Sequence, residues 1–188
     1  LGTQRRGEVV ELLEKAVREG TQICAVETLT QAPFECLNVT EQEEHTRATL
    51  KIQEGCNNHC TYCIIPSVRG PIRSRPLAEI RSEAERLAAA GFSELVLTGI
   101  HLSSYGKDTG GSETLLDAIA QVQAAEGVRR IRLGSLEPTI ATAEFAARLK
   151  EMDKVCPQFH LALQSGSDTV LARMARRYNT RMYLTGVE

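Results

Sequence analysis

Three cysteines, Cys56, Cys60 and Cys63, share one short run, Lys-Ile-Gln-Glu-Gly-Cys-Asn-Asn-His-Cys-Thr-Tyr-Cys-Ile-Ile-Pro from Lys51 to Pro66, with the spacing C-x3-C-x2-C. Thiolates are soft ligands that suit iron–sulfur clusters or zinc. A four-iron cluster held by only three thiolates leaves one iron without a protein ligand, free to chelate a small molecule. Structural zinc wants four ligands, usually as two pairs far apart in sequence. Here the second pair is missing. His59, the nearby candidate for a fourth zinc ligand, sits directly before Cys60, where convergence with all three sulfurs is awkward. The spacing favours a cluster with an open iron; zinc and unliganded thiols are the alternatives. Gly55 permits close approach of the backbone, and Asn57 and Asn58 suit irregular turns. Cys24, Cys36 and Cys156 are scattered and read as buried or idle thiols.

Such a loop must be carried by a scaffold, and from residue 48 a rhythm supplies one. A strand over 48–53 runs into the cysteines, and a helix follows at about 77–90, closed by Gly91. Residues 94–100 form a continuous apolar strand, expected where both faces are covered. A loop with Gly106, Gly110 and Gly111 leads to a helix at 113–126, closed by Gly127. A third strand at 130–135, a helix at 142–152 and a fourth strand at 159–164 come next. A last helix follows, for which Asp168 can supply a cap. The expected fold is therefore α/β, a partial (β/α) barrel of about four parallel units, too few for a full eight-fold barrel. In such folds chemistry gathers at the carboxyl ends of strands. The cysteines, Thr98-Gly99, Ser135 to Pro138 and Gln164-Ser165-Gly166-Ser167 all fall on that rim. Upstream, residues 7–19 read as an amphipathic helix with the apolar stripe Val9, Val10, Leu12, Leu13, Ala16 and Val17, stopped by Gly20. Residues 27–47, polar and acidic, read as a linker.

The chain has 188 residues, room for one full-sized domain. Its 22 Lys+Arg against 24 Asp+Glu neither argue for nor exclude a nucleic-acid partner. No run of about 18 apolar residues is present, so no membrane partner is expected. Six cysteines, clustered rather than spread, favour metal in a reducing compartment over a disulfide scaffold.

The run from Leu50 to Pro76, ending Arg69-Gly-Pro-Ile-Arg-Ser-Arg-Pro, resembles the radical S-adenosylmethionine superfamily. Within it, the run resembles the methylthiotransferases that modify the adenosine beside tRNA anticodons. Three further segments resemble the branch that adds a methylthio group at carbon 2 of N6-threonylcarbamoyladenosine at position 37. They are Val96-Leu-Thr-Gly-Ile-His-Leu-Ser-Ser-Tyr-Gly, Arg132-Leu-Gly-Ser-Leu-Glu-Pro and His160-Leu-Ala-Leu-Gln-Ser-Gly-Ser-Asp. The resemblance implies that Cys56, Cys60 and Cys63 hold one [4Fe-4S] cluster whose open iron binds S-adenosylmethionine. It places Tyr62 near adenine, Thr98 and Gly99 near the methionine amino group, and Gln164 and Ser165 near the ribose or methionine end. Ser135 and Glu137 face cofactor or substrate. Packing, strand ends, a helix cap and a turn are the ordinary alternatives for these positions. Arg69, Arg73 and Arg75 form a basic group suited to RNA phosphates. Arg129, Arg130 and Arg132, and Arg173, Arg176, Arg177 and Arg181, are weaker candidates of the same kind. His101 and His160 lie beside strand ends, where a hydrogen-bonded wall residue is the usual finding.

By the same resemblance, residues 1–26 are the tail of an N-terminal methylthiotransferase domain, 27–47 a linker, and 48–188 a radical domain truncated at its C-terminus. A second [4Fe-4S] cluster, the sulfur source, is expected only in a longer protein, so this chain alone is expected not to complete methylthiolation. The implied partners are tRNA and a reducing electron donor, and the implied location is the cytoplasm. A methylthiotransferase acting on another tRNA adenosine or on a protein side chain is the nearest alternative. A zinc-binding nucleic-acid module is more remote.

Overall fold

The computed structural model describes residues 1–29, 33–35, 46–110 and 112–188. Cys36, Gly111 and most of the expected linker lie outside them. The chain is α/β, as the sequence predicts. A four-stranded sheet has the order β2-β1-β3-β4, formed by β1 (Ala48–Glu54), β2 (Arg73–Ser74), β3 (Glu94–Gly99) and β4 (Arg130–Leu133). β1, β3 and β4 are parallel, and the two-residue β2 pairs antiparallel with the end of β1.

Each parallel strand obeys the period of two that pleating imposes. Ala48, Leu50 and Ile52, then Leu95 and Leu97, then Ile131 and Leu133, point to one face and are buried. Helices α3 (Leu77–Ala89) and α4 (Leu115–Ala124) cover that face through Ile80, Ala84, Leu87, Ala118, Ile119 and Val122. Each fully buried Leu or Ile contributes about 1.5–3 kcal/mol. β3 corrects the expectation of a strand covered on both faces: Val96 and Thr98 lie on the opposite face and are only partly buried. That face also carries Thr49, Lys51, Arg130 and Arg132, so it is polar and partly open.

Element ends follow local chemistry. α4 begins with a capping box in which the Thr114 and Asp117 side chains bond each other's backbone N–H groups. Helix α5 (Ala143–Lys150) is capped by Thr142, whose hydroxyl accepts from Phe145 N. The expected helix at 7–19 is a 3₁₀ turn at Arg6–Glu8 followed by α1 (Val9–Glu19), ended by left-handed Gly20. Its apolar stripe faces outward, and no residue of α1 is buried. The cysteine loop carries two elements that the sequence reading did not foresee, helix α2 (Ile65–Arg69) and β2.

The fourth unit departs from expectation. Residues 159–164 form no ladder strand. The segment after α5 meets β4 and its extension at two parallel bridges, Ile131 with Val155 and Leu136 with Leu161. Between the bridges stands Pro157, which has no N–H to donate and interrupts a ladder. Asp168 does not cap its own helix, α6 (Asp168–Arg173), by a side-chain bond. Its carboxylate accepts from Thr180 N at 2.7 Å, at the start of α7 (Thr180–Val187), whose cap is Asn179. Among the described residues, no helix is long and apolar enough to cross a membrane.

Candidate cofactor site

The cysteine loop leaves β1 through Gly55, where φ is +72°. A Cβ there would lie 1.9 Å from the Pro71 carbonyl oxygen, so only glycine fits. The returning strand is held by Cys56 N donating to Gly70 O (3.1 Å) and Ile72 N donating to Asn57 Oδ1 (3.1 Å). Asn58 N donates to Cys56 Sγ at 3.4 Å, and Cys63 N to Cys60 O at 2.9 Å. Thr61 ties the loop to the end of α6, with N to Met174 O at 3.2 Å and Oγ1 to Arg173 O at 3.1 Å. Cys60 is buried; Cys56 and Cys63 are half-buried.

Burial pushes the Cys56 thiol up, and the nearby Cys60, Cys63 and Glu137 add to that push, against the Asn58 N–H. A thiolate at Cys56 is therefore favoured by nearby positive charge. The chain supplies some: Arg176 Nη1 donates to Cys60 Sγ at 3.1 Å. Three soft donors on one loop, N–H···S bonds and a buried guanidinium fit an iron–sulfur cluster. Among the described residues, no three His, Cys, Asp or Glu side chains converge on a single-ion position. Thiolates of a multi-iron cluster each take a different iron and need not converge on one point.

The rim around the loop is knit by residues from every strand end. Gln53, fully buried, donates from Nε2 to Glu54 O (2.8 Å) and Gly55 O (2.7 Å), and its Oε1 accepts from His101 N (2.7 Å). A side chain at Gly99 would meet Gln53 Cβ at 2.8 Å. Gly99 thus lets the β1 amide lie across the end of β3. Thr98 pairs with Lys51 and sits on the polar face. Past β4, Glu137 is buried and central: its carboxylate meets His101 Nε2 (3.1 Å), Thr139 Oγ1 (3.2 Å), Asn58 Nδ2 (3.3 Å) and Arg176 Nη2 (3.4 Å). Burial works to raise the Glu137 carboxyl, but His101, Arg176 and Thr139 together hold it below the usual range. The site therefore keeps an ionised carboxylate beside the thiols.

The remaining expected positions are less tightly gathered. Ser135 is exposed, as is Gln164, whose φ of +69° is unusual for a side-chain-bearing residue. Ser165 Oγ accepts from Ser167 N at 3.2 Å, a turn bond. Tyr62 is 55% exposed beside the loop. Of the basic group, Arg73 and Arg75 are buried. Arg75 pairs with Glu83 (3.5 Å) and Glu79 (3.8 Å), and Arg73 Nη2 donates to Arg69 O at 3.0 Å. Among the described residues, none offers Arg73 Nη1, which is buried, a hydrogen-bond partner. Arg69, partly exposed, lies 3.8 Å from Glu54. Two residues that the sequence reading gave no part in this site belong to it, Gln53 and Arg176, and Asn58, read only as suited to an irregular turn, adds a side-chain bond to Glu137. Nothing in local spacing marks Gln53 or Asn58. The sequence groups Arg176 with arginines that are weaker candidates for RNA phosphate, because its turn, not its spacing, points it inward. His160 is exposed, and His59 likewise.

The Radical SAM superfamily model matches residues 50–188. Threonylcarbamoyladenosine tRNA methylthiotransferase MtaB of Bacillus subtilis (strain 168) is 41% identical over 187 residues, covering 97% of this chain and 41% of the relative. A tRNA-2-methylthio-N(6)-dimethylallyladenosine synthase of Clostridium tetani (strain Massachusetts / E88) is 37% identical over 183 residues, covering 97% and 40%. The chain thus spans about two fifths of these relatives. Among solved structures, the radical S-adenosylmethionine methyltransferase TsrM of Kitasatospora setae aligns with TM-score 0.59 at 20% identity, covering 75% of this chain and 28% of that one. The cobalamin-dependent radical enzyme OxsB aligns with TM-score 0.61 at 13% identity, covering 75% and 21%. These two likenesses concern the fold alone. The family match, together with a three-cysteine loop at the carboxyl end of the first parallel strand, establishes that this chain belongs to the radical SAM superfamily.

Proposed function

We propose that this chain is the cofactor-binding part of a tRNA methylthiotransferase acting at carbon 2 of N6-threonylcarbamoyladenosine 37. The carrying observation is the cysteine loop, pinned by Gly55 and Asn57, with its thiols beside the buried Glu137 carboxylate and Arg176. When bound, the cluster and S-adenosylmethionine together supply one-electron cleavage of a sulfonium carbon–sulfur bond. The protein's part is to hold, orient and shield. Cys56, Cys60 and Cys63 hold the cluster. Thr98 and Gly99 present the end of β3 to the methionine amino group. Glu137 and Ser135 face the cofactor from the end of β4, with Gln164 and Ser165 approaching from the fourth unit and Tyr62 from the loop. Arg69 reaches RNA phosphate, and Arg73 and Arg75 brace the turn behind it.

The threonylcarbamoyl reading rests on the MtaB likeness and on the segments at residues 96–106 and 132–138. The dimethylallyladenosine synthases give a second reading, the same reaction on a differently modified adenosine. The sulfur-donating second cluster, the electron donor and a cytoplasmic setting belong to the whole protein, and methylthiolation is assigned to that whole rather than to these residues alone.

The test is anaerobic reconstitution of the 188-residue chain with iron and sulfide, followed by assay for 5′-deoxyadenosine. Cofactor cleavage is expected, with its loss in Cys56→Ala, Cys60→Ala and Cys63→Ala. Labile sulfide that never binds, or cleavage that survives these substitutions, refutes the reading. Supplying tRNA that carries one or the other adenosine to the longer protein separates the two substrates.

A further inference from the structure

Arg176 reaches the site by an unusual route. Helix α6 ends in a Schellman turn: Arg176 N donates to Leu171 O (3.0 Å) and Ala175 N to Ala172 O (3.0 Å). Ala175 occupies the left-handed position, φ +55°, that glycine normally fills. The turn sends the Arg176 side chain back under the cysteine loop, where it is only 10% exposed. There, Nε donates to Tyr178 Oη at 3.0 Å, and the guanidinium stacks over the Tyr178 ring at 5.0 Å. Tyr178, itself buried, bonds to the Ala162 and Leu163 carbonyls at 2.7 and 2.9 Å. Nη2 meets Glu137 at 3.4 Å, and Nη1 points at Cys60 Sγ. The donor is thus locked by a ring and a carboxylate, not left to swing.

We propose that Arg176 is a tuning residue that sets the reduction potential of the cluster through the Cys60 sulfur. This rests on the reading that Cys56, Cys60 and Cys63 hold that cluster. Arginine keeps its charge at any working pH. One added electron makes a cluster one unit more negative. A fixed cation and an N–H···S bond on a ligand sulfur stabilise that reduced form more than the oxidised one. Arg176 and Cys60 are both largely buried, so the charge between them is weakly screened. Glu137 offsets part of it, so the pair sets an intermediate potential. The left-handed Ala175 and the stacked Tyr178 are what keep the guanidinium at the sulfur.

The experiment is a potentiometric titration of the reconstituted 188-residue chain with dithionite and mediator dyes, followed by electron paramagnetic resonance. Wild type is compared with Arg176→Gln and Arg176→Lys. Iron, labile sulfide and circular dichroism are recorded for each. Arg176→Gln is expected to lower the reduced-to-oxidised ratio about tenfold at fixed potential, about 59 mV for one electron. Arg176→Lys, which keeps the charge, is expected to retain more than half of the wild-type effect. A fully loaded Arg176→Gln with the wild-type potential overturns the proposal. So does an equal shift in both variants, or a folded variant that takes up no cluster, which would make Arg176 an assembly residue. A wild-type chain that binds no iron and sulfide instead sinks the cysteine reading itself.

Discussion

β1 and the segment at 159–164 are expected from sequence to do the same job, each a parallel strand delivering a loop to the rim, yet only β1 does it as a strand. β1 has neighbours on both sides, β2 and β3, and buries Ala48, Leu50 and Ile52 under α3. The later segment pairs its backbone with β4 and its extension through two isolated bridges, with Pro157 between them. It is anchored instead by single contacts, such as Tyr178 bonded to the Ala162 and Leu163 carbonyls. The cysteine loop therefore rests on a rigid base. The Gln164–Ser165 turn rests on a stitched one, and local stability should differ accordingly.

Substitutions can break or sharpen this contrast. The largest effect is expected at Gly55→Ala. Left-handed φ costs about 1–2 kcal/mol, and displacing the Pro71 carbonyl about 1–3 more. A urea-denaturation loss near 4 kcal/mol is expected, with loss of cluster uptake. Leu50→Ala, which opens a cavity under β1, is expected to cost about 3 kcal/mol. Leu161→Ala, the counterpart on the stitched segment, is expected to cost about 1 kcal/mol, because its site is only partly buried and can collapse. Equal losses at Leu50 and Leu161 would erase the distinction between the two supports.

Glu137 joins the two regions and gives a pH signature. Its folded value lies below the ordinary 4.5, so the unfolded chain takes up the proton first on acidification. Its contribution to stability is then complete above about pH 4.5 and drains away as pH falls through the lower folded value. The stability gap between wild type and Glu137→Gln is expected to narrow in that acid window in paired unfolding curves. A gap that stays constant down to the acid end would show that ionisation is irrelevant. The smallest effect is expected at Ala175→Gly, which relieves the left-handed turn and should stabilise the chain by about 1 kcal/mol. The stitched segment would gain from it, and β1 would not.

Much of this was legible in residues 48–133. Alternating apolar positions and glycine stops marked α3, β3, α4 and β4 to within a few residues, since period and punctuation are local signals. Thr114 and Asp117, three apart, carry a local capping signal for the start of α4. The two-faced burial of β3 misled because Val96 is apolar yet faces the polar side. Arg73 and Arg75 looked like a surface group. Arg75 is buried against Glu83 and Glu79 on α3 and Arg73 turns onto the Arg69 carbonyl, and which groups a guanidinium will meet cannot be read from spacing in a different element.

The sequence by itself determined the three-cysteine spacing, the parallel α/β scaffold and the strand-end rim from which that loop leaves. Cysteine spacing and strand period are properties of contiguous residues. Only the tertiary structure decided that Gln53 binds the ends of β1 and β3 together and that residues 159–164 are stitched rather than laddered. It also decided that Arg176, 116 positions from Cys60, donates to its sulfur. Those outcomes depend on turns and packing that bring distant groups within hydrogen-bond range, where a fraction of an ångström decides the chemistry.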